Sequence, residues 1–505
     1  MQLFPLLRVA AALAAGIAAA GLWPAVAPSW VWLSLTAALA VAAAALMRRP
    51  VACSVLLLLS FAAFGAWRMA HHSETEAVDL PPGAAAYEAV LLDRPARHGK
   101  VARCDIVVTG PGKPFRAVAA ILCDTVENRW EHLDAGSGIA FYSQMEKPGV
   151  RPRSNPGYAK WMETRGVKAE TFVYWDCWRF CSADISPLSR WERVKLRAMV
   201  FRRGLVDRLD SLGMGGDEKA VVAAMALGDK SGLSKELKED YSASGASHVL
   251  ALSGLHIGII YSMLLLLFPR RRWRFATQAM ALSAIWAYAV VVGLQPSVVR
   301  SASMVTAYGV FSLPGRGRMS LNALSMAAVV MLLANPVNLW DAGFQMSFMA
   351  VLGILAVYAP FSRAVGVRGP APLRWVFDMA AVSVAAQLAT FPLVLYYFGR
   401  FPCYFILSNF IAIPAATVIL YGACFMALAS PWPAVQAVLA KMLAAVAGWL
   451  NGGLGWIAGL PGASVGGLEV GAAQAAALYV LVACVCLAVR RVWLAFRWGG
   501  YYPLK

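Results

Sequence analysis

Apolar runs of membrane-spanning length, about 20 residues each, recur along this chain and set its class before any motif is read. They fall at 3–22, 29–47, 50–70, 247–268, 273–293, 297–313, 321–334, 343–360, 376–398, 403–430, 433–459 and 472–489. Several are short or interrupted by proline. The pattern therefore predicts a polytopic α-helical membrane protein of about 10–12 spans. The first run follows Arg8 like a signal peptide, but further apolar spans follow at once, so it reads as an uncleaved first span.

Between the third span and residue 185 the period changes. Short β-type runs at 86–93, 101–109, 115–123, 138–146 and 167–177 are separated by turns, with Gly110-Pro111-Gly112-Lys113 joining the second and third as a hairpin. Residues 155–165 read as a short helix before the fifth run. Five strands predict a small β-barrel, OB-like in size, inserted after the third span. From 190 to 212, basic residues from Arg190 to Arg208 alternate with apolar ones at helical spacing, the pattern of an interfacial helix whose basic face meets membrane lipid. The resulting organisation is 1–72 N-terminal transmembrane helices, 73–185 barrel, 186–242 interfacial amphipathic helices, 243–490 transmembrane core and 491–505 tail.

Charge orients this pattern. The segment from Trp23 to Trp30 is uncharged while Arg48 and Arg49 follow the second span, which puts those arginines in the cytoplasm and the barrel outside it. Arg270, Arg271, Arg272 and Arg274, then Arg316 and Arg318, then Arg490, Arg491 and Arg497 agree, and both termini are expected inside. Composition excludes a soluble globular chain, with 60% of residues hydrophobic and 14% charged, and the net charge is +18. Arg300 stands apart from the loop clusters because it sits within an apolar run, where a cation usually faces a polar passage or snorkels to an interface.

Cys104, Cys123, Cys177 and Cys181 all fall in the external barrel, where disulfides persist, and at least one bridge among them is expected with the pairing left open. The remaining five cysteines lie in apolar spans and read as packing residues. No zinc spacing and no phosphate-binding loop is present, so no metal or cofactor is expected.

Candidate chemistry concentrates at residues 244–264, where two histidines, four serines and three glycines open a membrane-length run. Polar groups in hydrocarbon face a protein interior or a watery cavity, so a broken helix lining a passage is expected, with Ser247, His248, Ser253 and His256 offering hydrogen bonds. Ser253 and His256 share a helical face, yet no carboxylate lies nearby in sequence to complete a nucleophilic site, and the chain is not expected to be an enzyme. Arg300, Asp341 and Gln345 are the polar candidates on neighbouring spans.

Residues 226–258, ALGDKSGLSKELKEDYSASGASHVLALSGLHIG, closely resemble the signature of the ComEC competence family. QPSVVR at 295–300, NPVNLWDAGFQMSF at 335–348, TFPLVLYYFGR at 390–400 and SNFIAIP at 408–414 resemble its later blocks in the same order, and NPGYAKWMETRG at 155–166 resembles the end of its external domain. The resemblance covers roughly residues 30–430. It implies an external OB-like domain and a core that passes single-stranded DNA through the inner (cytoplasmic) membrane in natural transformation. It also implies a periplasmic or surface DNA receptor and a cytoplasmic helicase or translocase as partners. The ligand signature of the metallo-β-lactamase-like domain found in fuller members is absent from the sequence, so removal of the other strand, if it occurs, would need another polypeptide, a separate nuclease. On the barrel, Trp130, Tyr142, Trp161, Trp175 and Trp178 with Arg103, Arg116 and Arg129 are the candidates for stacking and phosphate contact. The competing class is a secondary transporter of a small anionic solute or lipid-linked substrate, which also uses broken helices. It leaves the external barrel without a role.

Overall fold

The computed structural model of the protein describes all residues except 1–3, 24–26, 77, 79, 110–112, 125–127, 150–155, 183–184, 268–273, 313–319, 359–360, 363–369 and 500–505. The hairpin turn at Gly110 to Gly112, Asn155 and the arginines at 270–272, 316 and 318 lie outside the described residues, as do the side chains of Arg274, Arg490 and Arg497.

Three helices open the chain: α1 Pro5–Leu22, α2 Ser29–Ala45 and α3 Pro50–Thr75. Prolines at the start of α1 and α3 occupy positions where an amide hydrogen has no helical partner. α1 and α3 cross with almost no space between their backbones. Gly16 lies directly on the carbonyl of Ala62, where any Cβ would collide with backbone, which is how small residues let membrane helices approach. α2 buries only Ala43 and presents the rest of its apolar surface outward, as a lipid-facing helix does.

The barrel follows. Its strands are β1 Ala84–Leu91, β2 Ala96–His98, β3 Val101–Val108, β4 Phe115–Leu122, β5 Gly138–Glu146, β6 Val167–Val173 and β7 Trp178–Cys181. β1, β3, β4, β6 and β5 pair in that order and β5 returns to β1, closing a five-stranded ring. All pairings around the ring are antiparallel except β4 with β6. β2 extends β3 and β7 extends β5. Alternate residues point inward, so Leu91, Cys104, Ile106, Ile121, Ile139, Phe141 and Trp178 share one core. The fold is therefore the expected one, a polytopic helical membrane protein carrying a small closed barrel.

Two expectations about the barrel fail. The run 167–177 is not one strand: it ends at Val173, turns through Tyr174 to Cys177, and resumes as β7. The expected disulfide is absent, and Cys104, Cys123, Cys177 and Cys181 are free thiols. Geometry explains why near neighbours do not bridge. Cys104 pairs across the ladder with Ala119, while Cys123 bonds to the Lys100 carbonyl four rungs away. Cys177 and Cys181 lie against Tyr142 and Gly138 of β5, also four residues apart. Four extended residues span about 13 Å, twice the Cα separation a disulfide tolerates.

The chain re-enters the helical body through α5 Arg190–Ser211, α6 Gly216–Ala226 and α7 Lys235–Ala243. A capping box between Ser189 and Glu192 starts α5. The segment is not uniformly interfacial. In α6 every residue from Ala220 to Ala226 is buried, and it packs in the main core with the helices Phe405–Leu428 and Pro433–Ala458. The remaining core helices are α8 Ser247–Leu250, α9 Gly254–Leu267, α10 Arg274–Val291, α11 Pro296–Ser312, α12 Ser320–Ala334 and α13 Ala342–Gly353, followed by the helices Ala371–Phe398, Phe405–Leu428, Pro433–Ala458 and Ala472–Gly499. Among the described residues, six helices are long and apolar enough to cross a membrane, with five shorter apolar helices beside them.

The barrel is fastened to one end of this body. Its helix α4 Pro156–Thr164 touches the 3-10 turn Pro336–Trp340 between α12 and α13. Lys168 of β6 pairs with Glu76 just past α3 at 2.9 Å. Val90, Leu92 and Val107 close a small core with Leu188 and Leu196 at the start of α5.

Candidate functional site

The apolar run at 247–268 is broken, as its polar residues predict. α8 stops at Leu250, Ala251 is extended, and α9 begins at Gly254. His256 organises the break. The Ser253 amide donates to its Nδ1 at 3.3 Å, and Ser253 Oγ lies 3.0 Å from the same atom. Because Nδ1 accepts from the amide, the neutral ring carries its proton on Nε2. That Nε2 is buried with no hydrogen-bond partner, an uncommon state for a donor. His248 Nδ1 donates to the Gly245 carbonyl at 3.2 Å, fastening α8 to the turn before it.

The exposure pattern of this segment is inverted for a lipid-facing helix. Ser247, His248, Gly254, Gly258 and Ser262 are exposed, while Ile257, Ile259 and Ile260 are buried. A Cβ at Gly254 would lie 3.3 Å from Ser301 Oγ of α11, whereas one at Gly258 would meet nothing within 4 Å. The open face of α9 is thus small and polar from Gly254 to Ser262, with free space beside Gly258, and becomes apolar at Leu266 and Leu267.

Arg300 lies next to Ser301 on α11 and is buried, at 8% exposure. Its Nη1 meets Asp341 Oδ1 at 3.2 Å, so its charge is met by a carboxylate within the protein. Asp341 also caps α13, accepting from the Phe344 amide at 2.6 Å. Arg300 Nε is buried without a partner. Gly343 makes the approach possible, since a Cβ there would stand 2.5 Å from Arg300 Nη2. Gln345 donates to the Leu339 carbonyl at 2.8 Å and accepts from Tyr397 OH at 3.1 Å. The structure therefore brings Arg300, Asp341 and Gln345 to one end, and it is the end that carries the barrel, because the 3-10 turn touching α4 runs directly into Asp341. Arg68 of α3 was not singled out in sequence. It donates to the last carbonyls of α12, Leu333 at 2.7 Å and Ala334 at 2.9 Å.

On the barrel the candidates divide. Trp178 is 5% exposed and belongs to the core, so it offers no stacking face. Arg116 turns toward α5 and pairs with Glu192 at 3.6 Å, and Trp130 packs partly against the core with Arg97 over its ring at 5.9 Å. Arg103 is exposed on β3. Trp161 is exposed under Arg165, 4.8 Å from its ring centroid. Arg129 donates to the Trp175 carbonyl at 2.8 Å and covers the Trp178 ring. Tyr142 and Trp175 are exposed as a binding surface requires, and Tyr174 and Phe180, not anticipated, join them around the β6–β7 turn. The signal for Phe180 was its alternation with Trp178, legible once β7 is recognised as a strand.

Where the barrel meets α5, Asp93 and Lys195 lie near each other. Burial, reinforced by the charge of Asp105, raises the Asp93 carboxyl to about 7. Burial, with Arg116 adding to it, lowers Lys195 to about 8. Among the described residues, no group of three or more His, Cys, Asp or Glu is placed to hold a metal ion.

A helical membrane body with a broken polar helix, roofed by a closed barrel, defines a class of membrane protein. The competence protein family model matches residues 225–492, over half of the chain, and the chain belongs to that family. It is 29% identical over 241 residues to ComE operon protein 3 of Bacillus subtilis, covering 48% of this chain and 30% of that protein. An uncharacterised protein of Aquifex aeolicus is 32% identical over 28% of this chain and 34% of its own length, and the uncharacterised YcaI of Escherichia coli is 26% identical over 40% and 28%. The chain thus spans about a third or less of the curated relatives it matches. No solved structure matches it.

Proposed function

We propose that this protein passes single-stranded DNA across the cytoplasmic membrane during natural transformation. In this reading the barrel lies outside the cytoplasm and both termini lie inside. The observation that carries it is the inverted exposure around the helix break. Ser247 and His248 of α8 and Gly254, Gly258 and Ser262 of α9 are accessible while Ile257, Ile259 and Ile260 are buried, and leucine is exposed only at the far end of α9, at Leu266 and Leu267. A strand threading beside Gly258 has room for its backbone, and Ser247, His248 and Ser262 supply dispersed hydrogen bonds that position without trapping. Membership of the competence family supports the same reading. DNA would arrive from a periplasmic or surface receptor onto the exposed aromatics of the barrel, where stacking tolerates any sequence. A cytoplasmic helicase or translocase would supply the pull.

The test is uptake of labelled DNA in cells carrying Gly258→Leu or His256→Ala, with protein level and membrane insertion checked by blotting. Filling the space beside Gly258 should lower cytoplasmic DNA by about tenfold or more while DNA still collects outside the membrane. Import at the wild-type rate in both variants would remove α9 from the route.

A further inference from the structure

α5 carries arginines along its length, and the structure divides them into two groups. In the second half each is occupied: Arg202 donates to the Val292 carbonyl at 3.4 Å, Arg203 pairs with Asp207 at 3.1 Å, and Arg208 donates to Gln436 at 3.0 Å. In the first half, Arg190, Arg193 and Arg197 pair with no carboxylate among the described residues. Arg193 Nε is buried without any hydrogen-bond partner. These three lie at positions i, i+3 and i+7, on one face of the helix.

That face borders an apolar groove of about 290 Å³ between α5 and α10, lined by Val194, Arg197, Ala198, Phe201, Val290 and Val291. Its floor is the last turn of α10, an apolar helix of the membrane body, so the groove opens where hydrocarbon gives way to headgroups. Phe201 and Trp191 are exposed beside it, at 59% and 70%, the placement of aromatic residues at a membrane interface. An apolar slot at acyl-chain depth with Arg197 at its edge, and Arg190 and Arg193 on the adjoining face of the same helix, is complementary to one amphiphile, a chain bearing a phosphate without a compensating cation.

We propose that this groove is a binding site for one anionic phospholipid of the barrel-side leaflet, with an acyl chain along Val194, Ala198, Phe201, Val290 and Val291 and the phosphate held by Arg197 with Arg190 and Arg193. Guanidinium suits phosphate because its planar fork binds two oxygens at once. The site is distinct from the α9 face and does not depend on what passes there. It would fix α5, and through Leu188 and Leu196 the barrel, at a set height on the membrane.

The test is native mass spectrometry of the full chain in mild detergent with equal amounts of phosphatidylglycerol and phosphatidylethanolamine. The wild-type chain should retain phosphatidylglycerol preferentially, and Arg193→Gln with Arg197→Gln should lower that retention by about tenfold. Val290→Phe, which fills the groove, should lower retention of both lipids, and Arg203→Gln, already paired with Asp207, should change neither. Equal retention of the two lipids by wild type, or undiminished phosphatidylglycerol on the doubly neutralised chain, overturns the proposal. Should that variant fail to fold, competition between the two lipids on wild type and the Val290→Phe result decide it.

Discussion

Single side chains at the barrel end of the body are held by tight, local constraints. Gly343→Ala would place a methyl group 2.5 Å from Arg300 Nη2 and 3.0 Å from Asp341 Oδ1, forcing the pair apart. A loss of about 1–3 kcal/mol is expected, read as a lowered midpoint in thermal unfolding of the detergent-solubilised chain; an unchanged midpoint would mean the pair relaxes freely. Asp93 gives a second prediction. Its carboxyl titrates near 7 when folded against 3.8 as the reference, so the folded state holds the extra proton between those values and stability falls as pH rises from about 4 to about 7. Asp93→Asn should remove that slope, and at pH 8 it should stabilise the barrel by up to about 4 kcal/mol. Unfolding midpoints across that pH range would check both. Arg300 and Asp341 were each legible in the sequence as polar residues in apolar surroundings. Their pairing was not, because 41 positions of chain separate them and only the return of α13 against α11 brings them together.

At the scale of elements, hydrophobic period was a sound guide where an element buries one face and a poor one where it ends. The five ring strands fall within two residues of their expected starts, because alternation marks the inward face of a barrel directly. The end of β6 was missed, since Tyr174 and Trp175 continue the aromatic texture of a strand while the backbone turns. That miss had a consequence for the site: Trp178 counted as accessible and Phe180 as nothing at all. The two now make opposite predictions. Replacing Tyr174, Trp175 and Phe180 together by alanine should leave the fold intact and weaken binding of a labelled single-stranded oligonucleotide to the full chain by about tenfold or more, measured by fluorescence anisotropy. Trp178→Ala should instead cost about 3–5 kcal/mol of stability, because it opens a cavity in the barrel core. In α6 the polar start GDEK concealed a helix that is buried from Ala220 onward, and no periodicity marks an element buried on all sides.

At the scale of the whole molecule, the chain folds so that the barrel, the Arg300–Asp341 pair and the small sheet of Phe401–Pro402 with Ser464–Val465 gather at one end. Cys403 is exposed there, while Cys53 lies in the first turn of α3 at the opposite end. With that end outside the cytoplasm, a membrane-impermeant maleimide added to intact spheroplasts should label Cys403 in a chain whose other cysteines are serine. A chain retaining Cys53 alone should stay unlabelled until the membrane is opened. Reversed labelling would invert the orientation. This expectation came from clusters of arginine, and several of them fall in segments outside the described residues. The ends of helices, in contrast, could be matched only through the contacts that join them.

The barrel is held by ties on three sides: Lys168 to Glu76 past α3, α4 on the turn before Asp341, and Leu188 with Leu196 against Val90 and Val107. So mounted, it cannot swing toward the helix break as a separate arm could. The distance from Trp175 to Gly258 is then a constant of the molecule, and the mount acts as a ruler. An oligonucleotide shorter than that interval would occupy the outer aromatics without reaching the inner glycines, so entry should begin abruptly at a minimum length rather than improve smoothly with each added nucleotide.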